Sequence, residues 1–337
     1  MDLKSLGRYE IVGLLEAAPW GPVYHGHDTV TQRKVVVHSV RLQDLSPKAA
    51  EEFTDRFRGD ALAASRLHHP CIARVLDFGK GEDVAYLVTE AVDGEALKAR
   101  LERGARISLA EAAGLVLELL AALEHAHEAG IVHSAVRPAN ILFENGRVKL
   151  TGFGMASIQQ SEATTGAKLG ALAIGTRYMS PEQVQGRPLE LRSDLFSAGV
   201  LLYELVTGTR PFEGNNAFAV IQQIMTVVPP APRQLDPALP AWLDAVLAKA
   251  LAKTPEERFA SARDFANALK APTGVAVVPE RVSKSGVIAL ELELEYWKDI
   301  KESEDAEDFL NFLGTFPEGR FAPLAQRRLR KMGQGTA

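Results

Sequence analysis

The chain changes hydrophobic period once, near residue 90. Before that point RYEIVGLLE, PVYHGHD and KVVVHSVRL alternate or cluster β-branched residues, and VLDFGKGEDVAYLVTEA divides into two strands about a glycine-containing turn. After it, SLAEAAGLVLELLAALEHAHEAG, SDLFSAGVLLYELVTG and PAWLDAVLAKALAK carry helical spacing between loops bearing Pro and Gly. One helix interrupts the strand-rich half. In SPKAAEEFTDRFRGDALAASRL, Ser46 suits an N-cap, Pro47 the first turn, and Phe53, Phe57, Ala61 and Ala64 form one stripe. A strand-rich lobe followed by a helical lobe predicts an α+β protein with a cleft between the halves.

A composition of 46% hydrophobic and 24% charged residues over 337 positions is that of a globular chain with room for two or three compact units. The net charge of -5 supplies no basic field, so neither nucleic acid nor an anionic membrane is expected as a partner. The single cysteine, Cys71, cannot close an internal disulfide and sits among apolar neighbours, as a buried structural thiol would. The start, MDLKSLGRYEIVG, lacks a signal-peptide core, and no run reaches the ~18 apolar residues of a membrane span. A cytoplasmic location is expected. His25 and His27 share a strand face, but no further ligands stand at useful spacing, so no metal is expected.

Residues 271–286, APTGVAVVPERVSKSG, hold no sustained period and are expected to be a linker. From 287 to 337 three helical segments follow, marked by Leu290, Leu294 and Trp297, by Phe309, Leu310 and Leu313, and, after an FPEG turn, by Phe321, Leu324, Ala325 and Leu329. Their apolar faces should pack on one another and on a further surface. The RRLRK run suits a helix C-terminus.

Over about residues 6–270 the order of motifs resembles the bacterial eukaryotic-like serine/threonine protein kinases. YEIVGLLEAAPWGPVYHGHD is similar to the glycine-loop hairpin and RKVVVHSV to the next strand. HSAVRPANIL is similar to the catalytic loop, VKLTGFGMA to the metal-binding motif, and GTRYMSPEQ to the end of the activation segment. RSDLFSAGVLLYELVTGTRPF and TPEERFASA are similar to later helical segments. The resemblance implies a two-lobed kinase-like domain over 1–270, with an N-lobe at about 6–90 and a C-lobe at about 93–270.

Several positions depart from the family pattern, and each departure touches phosphate or proton chemistry. Glu16 and Ala18 stand where the glycine loop has two glycines, leaving Gly21; a carboxylate at Glu16 repels a polyphosphate. Trp20 could fill the cleft or sit exposed at the hairpin tip. His38 takes the place of the phosphate-binding lysine and Asp60 that of its helical glutamate partner; His38 is expected either as a neutral structural residue or in a weak contact with Asp60. Ala135 occupies the position of the catalytic base and Ser134 that of the preceding arginine, while Arg137 keeps a cation nearby. Gly152 replaces the metal-binding aspartate, and Asn140 alone is a poor magnesium site, serving either as a residual ligand or as a loop brace.

What remains implies a maintained scaffold. His133, Phe153, Glu182, Asp194 and Arg258 match structural positions of the family, with Glu182 and Arg258 as a buried ion pair and Asp194 as an acceptor for the catalytic-loop backbone. Val23, Val36, Thr89, Glu90, Val92, Asn140 and Leu142 match a nucleotide pocket. Ser157, Ser161, Thr164, Thr165 and Thr176 are activation-segment hydroxyls open in principle to another kinase.

These readings together predict a pseudokinase, a non-catalytic signalling or scaffold protein working through protein partners such as an active kinase or another signalling protein. Two alternatives stay open. One is a nucleotide or small-molecule sensor using the vestigial cleft; the other is residual or unconventional serine/threonine kinase activity. No cofactor is expected, and weak ATP binding without metal is the most the pocket predicts.

Overall fold

The computed structural model describes residues 4–18, 21–43, 45–81, 83–156, 176–273, 297, 301, 306–315 and 321–333. The chain divides into two compact units, Met1–Val277 and Val278–Ala337.

In the first unit, strands β1 (Ser5–Leu6), β2 (Tyr9–Ala18), β3 (Gly21–Asp28), β4 (Arg33–Arg41), β5 (Val75–Lys80) and β6 (Val84–Glu90) form an antiparallel sheet in the order β1-β2-β3-β4-β6-β5. Period-two alternation sends Val35 and Val37 to one face, where they bury against Tyr9, Tyr86 and Val88. Helix α1 (Pro47–Ala64) begins at Ser46, whose hydroxyl accepts the Ala49 N–H at 3.3 Å. It buries Phe53, Phe57, Ala61 and Ala64 in a core that also holds Val40, Ala85 and Leu87.

The helical lobe follows β7 (Glu95–Ala96) and α2 (Leu97–Glu102). Its axis is α3 (Leu109–Glu128), which buries ten side chains from Ala112 to Ala126 because small and branched apolar residues surround it on several faces. After a 3₁₀ turn at Pro138–Asn140, β8 (Ile141–Glu144) and β9 (Arg147–Leu150) form a small sheet with β7 in the order β7-β8-β9. Then come α4 (Pro181–Val184), α5 (Leu191–Thr207), α6 (Ala217–Thr226), α7 (Pro232–Leu235), α8 (Ala241–Ala250) and α9 (Ala262–Thr273). Helix α5 is almost entirely buried and stops at Gly208, whose φ of 70° is the left-handed cap that glycine adopts without strain. A two-lobed fold, a curled antiparallel sheet followed by a helical lobe, is thus the architecture. The last helix runs to Thr273, past residue 270 where the domain was expected to end.

In the second unit, helices α10 (Ala306–Thr315) and α11 (Ala322–Gly333) close on Phe309, Phe312 and Ala325, with Trp297 stacked on Phe321 at 5.7 Å. The inward residue is Phe312 rather than the anticipated Leu310, which is exposed, as is Leu324. A three-residue step from Phe309 keeps the helix face, whereas a one-residue step turns away from it. Leu290, Leu294 and the FPEG turn lie outside the described residues.

Candidate functional site

Three segments meet at the catalytic loop, and one carboxylate ties them together. Asp194, on the first turn of α5, accepts the His133 N–H at 2.8 Å and the Ser134 N–H at 2.7 Å. Its Oδ2 also takes a hydrogen bond from His127 Nε2 at 2.8 Å. These contacts hold Ser134 at φ 62°, a left-handed conformation that a side chain disfavours. The His133 ring then settles the next step of the loop. Its Nδ1 accepts the Ala135 N–H at 3.1 Å and its Nε2 donates to the Thr151 carbonyl at 2.8 Å, the pattern of a neutral imidazole. Burial lowers the His133 pKa against the opposing pull of Asp194 and the Thr151 carbonyl. Phe153 meets the same ring edge-on at 4.5 Å.

Asn140 donates from Nδ2 to the Ala135 carbonyl at 2.8 Å, so its side chain spans the loop. Gly152 follows with φ 94°, and a Cβ there would lie 3.1 Å from Asn140 Nδ2. At Gly154, φ 82°, the same construction meets Ala61 Cα and Leu87 Cδ2 at 3.4 Å, which packs this turn against α1. No carboxylate is contributed by positions 135 or 152, and among the described residues no cluster of His, Cys, Asp or Glu is arranged for a metal. The donor set beside Asn140 does not fit a magnesium ion, which calls for carboxylate and phosphate oxygens.

Between the sheet and this loop lies a cavity of about 900 Å³. Val23, Val36, Thr89, Glu90, Val92, Asn140 and Leu142 all line it, together with His38, Gly152 and Glu16. Cross-strand pairing sets its roof: Val23 faces His38, and Val36 faces Thr89. His38 Nε2 lies 3.4 Å from Thr89 Oγ1, a weak contact. Burial pushes the His38 imidazole down to about 4, leaving it neutral near pH 7. At the hinge, the Glu90 carboxylate takes Lys149 Nζ at 2.9 Å. The Glu90 N–H is already donated to the Arg74 carbonyl at 2.9 Å and the Val92 carbonyl already accepts from Gly94 at 3.0 Å, so part of the expected hinge backbone is engaged. In the hairpin, Glu16 is exposed and Ala18 buried; Gly21 is required because a Cβ there would meet the Ser39 carbonyl oxygen at 2.2 Å. Trp20 lies outside the described residues.

A second cavity, about 940 Å³, opens on the other side of the catalytic loop. Glu16, Arg137 and Ala139 line both cavities, so the two spaces adjoin at Arg137. Elsewhere in the helical lobe Glu182 and Arg258 are joined by two bonds of 2.7 and 2.9 Å, with Ser193 Oγ donating to Glu182 at 2.6 Å. Burial alone would raise the Glu182 pKa, but the bonds from Arg258 and Ser193 outweigh it and hold the carboxyl below its ordinary range.

Residues 12–272 match the family described as the protein kinase domain. The chain belongs to the protein kinase family. A probable serine/threonine-protein kinase of Streptomyces coelicolor is 38% identical over 264 residues, covering 77% of this chain and 39% of its own. PrkC of Bacillus subtilis is 32% identical over 260 residues, with coverages of 77% and 39%. PknA of Mycobacterium tuberculosis is 36% identical over 272 residues, with coverages of 79% and 61%. The kinase domain therefore spans about two fifths of the length of most of these relatives. The comparisons correct the expectation of a non-catalytic pseudokinase scaffold. Relatives this similar over more than three quarters of the chain are named serine/threonine-protein kinases, which favours an enzyme. That expectation rested on the substitutions at Glu16, Ala18, His38, Ala135 and Gly152 taken together, and the joint effect of such changes on rate does not follow from the positions alone.

His127 and Gln183 are contributors that the sequence did not single out. His127 closes the triad of donors on Asp194, and Gln183 donates from Nε2 to the Ser134 carbonyl at 2.7 Å while its Oε1 accepts the Ser180 N–H at 2.9 Å. The S-x-x-Q spacing of Ser180 and Gln183 is a capping-box signal that was available for the second. Thr176 is buried, which removes it from the accessible hydroxyls, whereas Ser157, Ser161, Thr164 and Thr165 lie outside the described residues. Cys71 is buried, and burial followed by the charge of Glu118 raises its thiol to about 11. No helix among the described residues is long and apolar enough to cross a membrane.

Proposed function

We propose that this kinase domain takes a nucleoside triphosphate into the interlobe cleft and transfers its terminal phosphoryl group to a serine or threonine hydroxyl without a carboxylate base or a bound metal: the new O–P bond forms as the bond to the departing nucleoside diphosphate breaks, and the hydroxyl proton passes to an oxygen of the transferred phosphoryl group. The observation that carries this reading is the placement of Arg137: it stands where the two cavities adjoin, on a loop whose backbone Asp194 holds from the other side. Phosphoryl transfer passes through a loose transition state in which positioning and charge neutralisation outweigh proton abstraction. A guanidinium at the junction neutralises charge on the moving group. The missing base costs about 10² to 10⁴ in rate, against a usual kinase turnover of ~1–100 per second. Slow transfer is the expected outcome, and nucleotide binding is expected to be weak and independent of magnesium. Protein substrates and other signalling proteins are the partners this reading implies.

Transfer of label from γ-labelled ATP to the chain itself or to a mixed serine/threonine peptide pool tests it. Slow incorporation in the purified protein that is lost in Arg137→Ala supports the reading. No incorporation on long incubation, or incorporation unchanged in Arg137→Ala, sinks it.

A second reading, a nucleotide or small-molecule sensor, is favoured by the combination of a roomy cleft with no carboxylate at positions 135 and 152. A melting temperature that rises with ATP while no label is transferred would select it.

A further inference from the structure

Lys253 lies between α8 and the 3₁₀ turn at Pro255–Glu257, and its ammonium reaches the end of α6. It donates to the Ile224 carbonyl at 2.7 Å and more weakly to the Gln223 carbonyl at 3.5 Å, both in the last turn of that helix. The same Nζ lies over the Phe212 ring at 4.2 Å. Phe212 stacks parallel on Phe196 at 5.9 Å, and the Arg258 guanidinium lies over Phe196 at 4.9 Å, so two cations share one aromatic stack.

One of these cations is neutralised and the other is not. Arg258 is committed to Glu182. Around Lys253, α6 carries no titratable residue, and in the loop before it Glu213 pairs with Arg210 at 3.3 Å. On α5, Asp194 holds the catalytic loop, and Glu204 takes Arg210 and Tyr178. On α8, Asp244 accepts the Arg233 N–H at 3.2 Å, and Lys249 lies over Phe259. Among the described residues no carboxylate, Glu256 and Glu257 of the adjoining turn included, forms an ion pair with Lys253. Burial, and then the charge of Arg258, push its ammonium down to about 8. The Ile224 bond and the Phe212 ring favour the ammonium without offsetting that desolvation. A lysine desolvated by apolar walls beside a second cation is an activated nucleophile. Its neutral amine has two N–H groups and a lone pair, so one N–H can keep the Ile224 carbonyl while the lone pair attacks. The residue is only half-buried, which leaves room for a small reagent to approach.

We infer that Lys253 is a modification site, acylated at Nζ by small activated acyl groups, either acyl thioesters or acyl phosphates. The ammonium first gives a proton to water. The amine lone pair then forms an N–C bond to the acyl carbon as the C–S or C–O bond breaks; the thiol or phosphate departs with the bonding electrons, and one amine proton passes to it. The product amide retains one N–H for the Ile224 carbonyl and carries no charge beside Arg258. Neither nucleotide nor phosphoryl transfer enters this chemistry, so the inference stands apart from the proposed function.

The test is trace acetylation of the full chain, by an acetyl thioester in one arm and acetyl phosphate in the other, read at each lysine by peptide mass spectrometry between about pH 6 and 10. A fall from 10.5 to about 8 raises the neutral fraction at pH 7 by about 300-fold, and the lower nucleophilicity of a less basic amine takes back part of this gain. Near pH 7 Lys253 should therefore react about ten-fold or more faster than the exposed Lys34 and Lys80. Its rate should level off above about pH 8, short of the range of an ordinary lysine. In guanidinium chloride, where the stack is gone, both the preference and the early plateau should vanish. Faster labelling in one arm names the donor, and equal labelling assigns the site to acyl groups of either kind; each supports the site. Labelling of Lys253 no faster than that of Lys34, or a preference that persists in the unfolded chain, overturns it.

Discussion

Asp194 and Ser134, sixty residues apart in the chain, are joined by a 2.7 Å hydrogen bond from the Ser134 N–H to Asp194 Oδ1. With His133 N–H and His127 Nε2 on the other oxygen, the carboxylate satisfies three donors in the interior. Asp194→Ala leaves all three without their acceptor. An unsatisfied buried donor costs about 1–3 kcal/mol, so the urea midpoint should fall by the equivalent of several kcal/mol. Asp194→Asn retains one acceptor oxygen and should fall less. Equal midpoints for parent and Asp194→Ala would show that the loop is held by other means.

The Glu182–Arg258 pair sets an acid limit on the helical lobe. The folded carboxyl titrates below its ordinary value of 4.5, so its contribution is complete above that pH and is lost as pH falls through the depressed folded value. Breaking such a buried pair from one side costs about 3–5 kcal/mol. Glu182→Gln should lower stability at neutral pH and flatten the loss seen in acid, measured by denaturant unfolding across pH 3 to ~6. A mutant curve parallel to the parent's would count against the pair.

His38 acts in the same direction by a different route. Its folded pKa is about 4 against an ordinary 6.5, so between those values the unfolded chain binds a proton that the folded chain refuses. Stability therefore declines as pH drops from 6.5 toward 4 and levels off below. The whole effect amounts to no more than about 3 kcal/mol. His38→Gln should remove this slope while leaving the Glu182 limb in place. Persistence of the slope in that variant would assign it to another group.

Gly152→Asp, which places a carboxylate at the family's metal-binding position, meets two obstacles. The backbone there sits at φ 94°, and the new Cβ would press on Asn140 Nδ2 at 3.1 Å. Strain of this kind costs about 1–3 kcal/mol, so the melting temperature should drop, and the Ala135 carbonyl should lose its Asn140 partner. An unchanged melting temperature would mean that Asn140 moves freely, contrary to its 2.8 Å bond.

Much of this arrangement is legible in the chain because it depends on spacing. The change of period near residue 90 marks the two lobes, and the stripe from Phe53 to Ala64 marks the face of α1. Tertiary partners are harder to read. Nothing near His127 announces a carboxylate sixty-seven residues later, since a histidine at the end of an apolar helix has the same local pattern whether it binds metal, water or Asp194. Leu310 and Phe312 are both apolar, and only the turn-by-turn geometry of the helix chooses between them. The substituted positions at His38, Ala135 and Gly152 are plain in the sequence. Their consequence for rate is not, because it depends on what Arg137 and the neighbouring backbone contribute in combination.

The clasp on Asp194 carries a consequence for how ligands are received. Its bonds run within the helical lobe, from α5 to the loop and to α3, and none passes through the cleft. The loop is thus preorganised by the protein's own interior. An incoming molecule meets a template that has already surrendered its conformational entropy during folding, and its binding free energy is not diverted into shaping that floor.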